Sequence, residues 1–219
     1  MIGEPVFTLS PSTLNLLQDC PRCFWLTKVK NMRRPSGPMS SIPIKMDSII
    51  KAYYNRYRGE ILPPILKGQV QGRLAVGMPL TLRCEALKGI VEVWGRPDDY
   101  IELEDASIAV LDNKTASKVP QAIHPAVMLQ IDVYSYLLMR NGYRTVPKAY
   151  LAYYCPEESD LHKGMAMTCS VIEVTTDPNC VESLIRKAEK VLNGPMPEQG
   201  QNCQYCKWAQ TLANLSRMV

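Results

Sequence analysis

"WGRPDDYIELEDASIAVLDNKTASK", Trp94 to Lys118, sets an aspartate after a turn-forming Gly-Arg-Pro, runs through a polar hairpin, and ends an apolar strand in Asp-Asn-Lys. Asp112 and Lys114 are separated by one residue, so on a strand they point to the same face. Asp98, just past the turn on the preceding strand, can approach from beside them. Two carboxylates gathered in this way can hold Mg2+ or Mn2+, which prefer hard oxygen ligands. An ion held there lowers the pKa of bound water and neutralises charge building on a phosphate. The "IAV" before Asp112 marks a buried strand, where an unpaired carboxylate is costly.

On either side of this hairpin the pattern predicts an α/β order. "LSPSTLNLLQDC" offers Ser and Thr caps before a Leu pattern and reads as a helix. "RRPSGPMSSIP" is a loop, and "IKMDSIIKAYYNRYRG" returns to helical spacing with Gly59 as its stop. "EILPPILKGQVQGRLAVGMP" is full of breakers and shows no period. Strand-like alternation runs from "LTLRCEAL" to "VLDNKT". "HPAVMLQIDVYSYLLMRNG" is a helix apolar on most faces, as one packed on a sheet would be. Two strands, "KAYLAYYC" and "MTCSVIEVT", and an amphipathic helix, "DPNCVESLIRKAEKVLNG", complete the order.

The 219 residues suffice for one domain with a sizeable core, and 46% hydrophobic with 21% charged reads as globular. No run of about 18 apolar residues suggests a membrane span. The start lacks a basic segment followed by an apolar one, so a cytoplasmic protein without widespread disulfides is expected. Residues 1–80 carry 11 Lys and Arg against 4 Asp and Glu, a balance of +7, and the remainder carries 14 against 17, a balance of −3. A basic third beside an acidic remainder suits a polyanion partner held near a carboxylate metal site. Lys51, Arg56 and Arg58 mingle with tyrosines in "KAYYNRYR", and Arg96 follows Gly95; these are the candidate phosphate contacts.

Of eight cysteines, four form C-x-x-C pairs at opposite ends, Cys20 with Cys23 and Cys203 with Cys206. If the ends meet, four thiolates suit Zn2+ or an iron–sulfur cluster. Cys84, Cys155, Cys169 and Cys180 lie in apolar or strand-like surroundings and read as buried thiols.

Pro97-Asp98 followed by Asp112-x-Lys114 matches the signature of the PD-(D/E)XK nuclease superfamily, and the chain resembles its RecB-like branch, including the CRISPR-adaptation exonucleases. That branch places its first aspartate in G-x-x-D, here Gly95–Asp98, and Q-x-x-x-Y on the next helix, here Gln130 and Tyr134. Its S-x-S-x-L…CP-x-x-F pattern corresponds to Ser10, Ser12, Leu14, Cys20, Pro21 and Phe24. The resemblance implies a restriction-endonuclease-like core, a central mixed sheet flanked by helices, with a four-cysteine cluster joining the termini. It implies one nuclease domain over 1–219, with 1–30 and 195–219 forming the cysteine lobe. It further implies Mg2+- or Mn2+-dependent hydrolysis of DNA, as an exonuclease on single strands or ends in DNA processing, repair or CRISPR adaptation. Partner proteins from those pathways follow from the same resemblance. Asp98, Asp112 and the Asn113 carbonyl would hold the ion, Lys114 would orient water or stabilise charge, and Gln130 and Tyr134 would face the site.

Two departures stand out. The branch often carries an upstream histidine ligand, whereas His124 and His162 both lie downstream; Asp47, or Glu85, is the substitute. Iron–sulfur members usually split their cysteines one and three, whereas here the split is two and two, with Leu212 where a further cysteine would stand. Resemblance favours [4Fe–4S]; spacing favours zinc. Two other readings are a DNA-binding module that keeps the fold without catalysis, and a zinc-structured interaction protein.

Overall fold

Ser10 opens the first helix with a reciprocal cap: its backbone N–H donates to Thr13 Oγ1 at 2.7 Å and its Oγ accepts from the Thr13 N–H. Cys20 then ends that helix and starts the next, its Sγ accepting from the Cys23 N–H at 3.5 Å with Pro21 in the first turn. The C-x-x-C spacing is thus a helix cap as well as a candidate ligand pair.

The computed structural model describes residues 7–38 and 40–215; residues 1–6 and 216–219 of the expected cysteine lobe lie outside the described residues. In chain order the first elements are β1 (Phe7–Leu9), α1 (Pro11–Asp19), α2 (Pro21–Val29), α3 (Ser41–Tyr54), β2 (Arg73–Leu74), β3 (Leu82–Ala86) and β4 (Val91–Gly95). Then come β5 (Asp99–Glu102), β6 (Ile108–Thr115), α4 (Pro125–Arg140), β7 (Thr145–Pro156), β8 (Met167–Thr175), α5 (Asn179–Leu192) and α6 (Gln204–Leu215). Helix α3 stops at Tyr54, short of Gly59, and α6 is a helix that the sequence pattern does not announce. Among the described residues no helix is long and apolar enough to cross a membrane.

The chain divides into two compact units, Met1–Pro38 with Glu85–Val93 and Asn179–Val219, and Met39–Cys84 with Trp94–Pro178. In the first, β1 pairs parallel with β4, and α1, α2 and α5 pack on one another. The Pro/Gly-rich segment after α5 is pinned to α2: Trp25 Nε1 donates to the Gly194 carbonyl at 3.2 Å and Arg22 Nε to that of Pro197 at 3.0 Å. This delivers the second cysteine pair to the first.

In the second unit a five-stranded sheet runs β2-β5-β6-β7-β8, parallel between β6 and β7 and antiparallel elsewhere. Helix α4 bridges the parallel pair, as such a crossover requires. Strand β6 alternates: Ala109 and Leu111 join Ile50 and Tyr54 of α3 in the core with Tyr150 and Tyr154, whereas Asp112 and Lys114 point to the opposite face. Fully burying a large apolar side chain such as Leu111 stabilises by about 1.5–3 kcal/mol. The breaker-rich segment after α3 is a series of turns ending in the short β2. Gln69 ties it to β8, its Oε1 accepting from the Val171 N–H at 2.9 Å and its Nε2 donating to the carbonyls of Cys169 and Ile65, both at 3.0 Å.

Candidate functional site

The pairing of Asp99 with Leu111 across β5 and β6 sets Asp98, one residue before β5, beside Asp112. Asp98 Oδ2 accepts from the Asn113 N–H at 2.9 Å. Asp112 is 1% exposed, and its Oδ2 lies 2.5 Å from Lys114 Nζ. That ion pair is the contact it makes, and among the described residues no other group donates to Asp112 Oδ2. A buried carboxylate oxygen beside a second carboxylate is an environment that a hard cation completes. The donor set therefore fits Mg2+ or Mn2+.

Lys114 Nζ donates to Gln130 Oε1 at 2.9 Å, and Gln130 Nε2 donates to the Tyr134 hydroxyl at 2.9 Å. One turn of α4 thus positions the lysine through an amide and a phenol. Burial pushes the Tyr134 hydroxyl up to about 12; the Gln130 bond opposes this, and the charges of Asp112 and Asp98 add to it. Burial pushes the Asp98 carboxyl up to about 6, the charge of Asp112 adds to it, and the Asn113 N–H, Lys51 and Lys114 pull it down. Asp112 is raised as well, burial outweighing Lys114.

Gly95 explains the Gly-Arg-Pro turn. A Cβ there would lie 2.7 Å from Tyr134 Cε1 and 2.9 Å from Leu137 Cδ1. Gly95→Ala should push the phenol ring off Gln130 and cost about 1–3 kcal/mol of stability, the usual range for overpacking. Thermal melts check this; an unchanged midpoint would show that the ring yields freely.

Behind the strand, the Tyr54 hydroxyl donates to Asn113 Oδ1 at 3.2 Å and lies 2.5 Å from the Tyr154 hydroxyl. Tyr54 is fully buried, so it braces Asn113 instead of offering a stacking surface. Arg58 is engaged likewise: Nη1 and Nη2 donate to Asp99 at 2.8 and 2.7 Å, and Nη1 also to the Ala75 carbonyl at 2.9 Å. Asp99 is 3% exposed, so this pair neutralises a buried charge and Arg58 is not free for phosphate. Arg56 and Arg96 are exposed, and Lys51 is half-buried. Asp47 pairs with Lys51 at 2.8 Å along α3, and Lys51 is, with Lys114, a cation felt by Asp98. Among the described residues no third carboxylate gathers with Asp98 and Asp112; Glu85 lies on β3, assigned to the other unit. His124 caps α4, its Nδ1 accepting from the Ala126 N–H at 3.1 Å.

In the first unit Cys20, Cys23, Cys203 and Cys206 are buried, with their sulfurs all within 4.8 Å of one another. Cys20 Sγ lies 3.8 Å from Cys206 Sγ, and Cys23 Sγ lies 3.6 Å from those of Cys203 and Cys206. Gly200 closes the group: its N–H donates to Cys20 Sγ at 3.2 Å, and a Cβ there would lie 2.3 Å from the Asp19 carbonyl oxygen. Burial raises the Cys20 thiol, but the N–H groups of Gly200 and Cys23, together with the thiols of Cys23 and Cys203, outweigh it and hold the thiol at about 7. Four buried sulfurs this close suit a metal centre, zinc or iron–sulfur.

A mixed sheet with a carboxylate at a turn, and a carboxylate and lysine on the adjoining strand, defines a class of metal-dependent nuclease folds. The chain belongs to the PD-(D/E)XK nuclease superfamily, whose family model matches residues 66–211. The solved structure described as "Crystal structure of SSO0001" is similar at 16% identity over 93% of this chain and 84% of that one, with a TM-score of 0.45. No curated protein matches.

Proposed function

We propose that the protein is a deoxyribonuclease that hydrolyses phosphodiester bonds with Mg2+ or Mn2+. What supports this reading above all is the buried Asp112 carboxylate, placed beside Asp98 and ion-paired with Lys114 on the same face of the strand. Asp98, Asp112 and the Asn113 carbonyl would hold the ion, which when bound supplies an acidified water and charge neutralisation at phosphate. Lys114, fixed by Gln130 and Tyr134, holds its ammonium on the same face, where it can orient the water or meet the developing charge. Arg96, Arg56 and Lys51 supply positive charge for the phosphate backbone, with Asp47 a further ligand candidate on α3. The Gly95–Asp98 and Gln130–Tyr134 motifs extend the reading to the RecB-like branch: an exonuclease on single strands or DNA ends, serving DNA processing, repair or CRISPR adaptation.

End-labelled single- and double-stranded DNA, incubated with and without Mn2+, tests the whole reading. Mn2+-dependent shortening from an end is expected; intact substrate in every lane sinks it.

The raised Asp98 value sets a pH dependence. Because it lies above the ordinary 3.8, this group favours the metal-free fold when protonated, and that contribution is lost as pH rises through about 6. A bound cation reverses the preference. Mn2+ should therefore bind more tightly at about pH 7 than at about pH 5, displacing a proton on the acid side. Calorimetry in buffers of different ionisation enthalpy measures this, and equal affinity at both values contradicts it.

A further inference from the structure

Arg34 lies beyond α2, outside both cysteine pairs, yet it touches the surroundings of both. Its Nη1 lies 2.6 Å from Asp19 Oδ2, and Asp19 immediately precedes Cys20. Its guanidinium carbon stands 4.7 Å from the ring centre of Tyr205, which sits between Cys203 and Cys206. Its Nη2 donates to Cys203 Sγ at 3.3 Å. Cys23 Sγ is 3.6 Å from that sulfur and also feels the guanidinium, which lowers its thiol against the upward push of burial.

The sulfur spacing limits what the centre can hold. One ion bonded to four tetrahedral sulfurs at about 2.3 Å places those sulfurs about 3.8 Å apart. Three of the six separations here are 3.6, 3.6 and 3.8 Å, and all four sulfurs lie within 4.8 Å of one another. A four-iron cluster carries each thiolate on a different iron, and so needs the sulfurs spread more widely.

Charge then sets the role of Arg34. Four thiolates around a divalent ion leave two net negative charges in a buried place, which is costly without compensation. Main-chain N–H groups of Gly200 and Cys23 serve Cys20. On the Cys23–Cys203 side the donor is Arg34, and its hydrogen bond is charge-assisted. Asp19 and Tyr205 hold its fork in place.

We propose that Cys20, Cys23, Cys203 and Cys206 hold a single tetrahedral ion, zinc, and that Arg34 is its positioning residue. It steadies the Cys203 thiolate and balances the charge of the site. The proposal rests on the cysteines forming a metal centre and is independent of the nuclease reading.

The test uses the full chain, purified anaerobically from medium containing both iron and zinc. Iron, zinc and acid-labile sulfide are measured, and zinc affinity is then compared for the parent, Arg34→Gln, Arg34→Lys and Asp19→Asn by competition with a chromogenic chelator. Stoichiometric zinc without sulfide is expected. Arg34→Gln should weaken zinc binding about 10–100-fold, the range for lost outer partners of metal ligands. Arg34→Lys should recover part of the loss by restoring charge, and Asp19→Asn should lose less than Arg34→Gln. Stoichiometric iron and sulfide overturn the single ion. Parental affinity in Arg34→Gln, or equal losses in Asp19→Asn and Arg34→Gln, overturn the role of Arg34. Should Arg34→Gln fail to fold, the Arg34→Lys and Asp19→Asn pair still decides: a lysine variant no weaker than the parent, or an Asp19→Asn protein weaker than the lysine variant, overturns it.

Discussion

Lys114→Ala protein will fold, bind Mn2+, and cleave labelled DNA about 10²–10³-fold more slowly than the parent, the usual loss on removing one electrostatic stabiliser. The side chain is 25% exposed at the end of β6, so little packing depends on it. Its contacts are polar, to Asp112 at 2.5 Å and Gln130 at 2.9 Å. Without Mn2+, removing the ammonium leaves Asp112 more easily protonated, because an opposing charge has gone from a buried carboxyl. With Mn2+ saturating, that difference closes and the remaining defect lies in the chemical step. Single-turnover rates at saturating Mn2+, beside thermal melts, separate the two. A rate within threefold of the parent would falsify the assignment.

The second large effect belongs to the cysteines. Cys20→Ser and Cys206→Ser should each empty the centre and lower thermal stability together. A metal bound only by the folded state adds its binding free energy to stability. Losing several kcal/mol of it in a chain of this size lowers the midpoint by roughly 10 °C or more. A serine at position 20 can still cap α2, so the loss reports ligation and not helix initiation. Cys169→Ser is the control: this residue is a half-buried thiol on β8, outside the four-sulfur group, and should change neither quantity much. Metal analysis with parallel melts decides; a Cys206→Ser protein with parental metal content and midpoint would show the sulfurs to be ordinary thiols.

Asp98, Asp112 and Lys114 were legible because strand alternation and a hairpin are local facts. That Gln130 and Tyr134 share a face was legible from their spacing of one helical turn, but that this face meets Lys114 was implied only by the family resemblance. The aspartate pair shows where this ends. On a strand Asp98 and Asp99 must diverge, but nothing local says that Arg58, 41 residues earlier, meets Asp99. The mingled aromatic and basic residues of "KAYYNRYR" suggested a surface, whereas Tyr54 and Arg58 spend their polar atoms inside the fold. Arg34 was silent for a similar reason: its sulfur partner is 169 residues away, brought near by the pinned segment before Gly200. Helix α6 begins inside a cysteine pair that drew the reading to ligation, and its largely exposed apolar residues give little inward stripe.

Gln69 covers part of the sheet's β8 edge. An outermost strand is a template on which another chain can polymerise, because its outward N–H and C=O groups are unpaired. On β8, nine residues long, the Gln69 amide fills one rung of that ladder by accepting from Val171 and donating to Cys169. It imitates a single peptide unit of a sixth strand. A foreign strand would have to displace an amide also anchored to Ile65. The turn-rich segment with no readable period thus acts as the sheet's stopper.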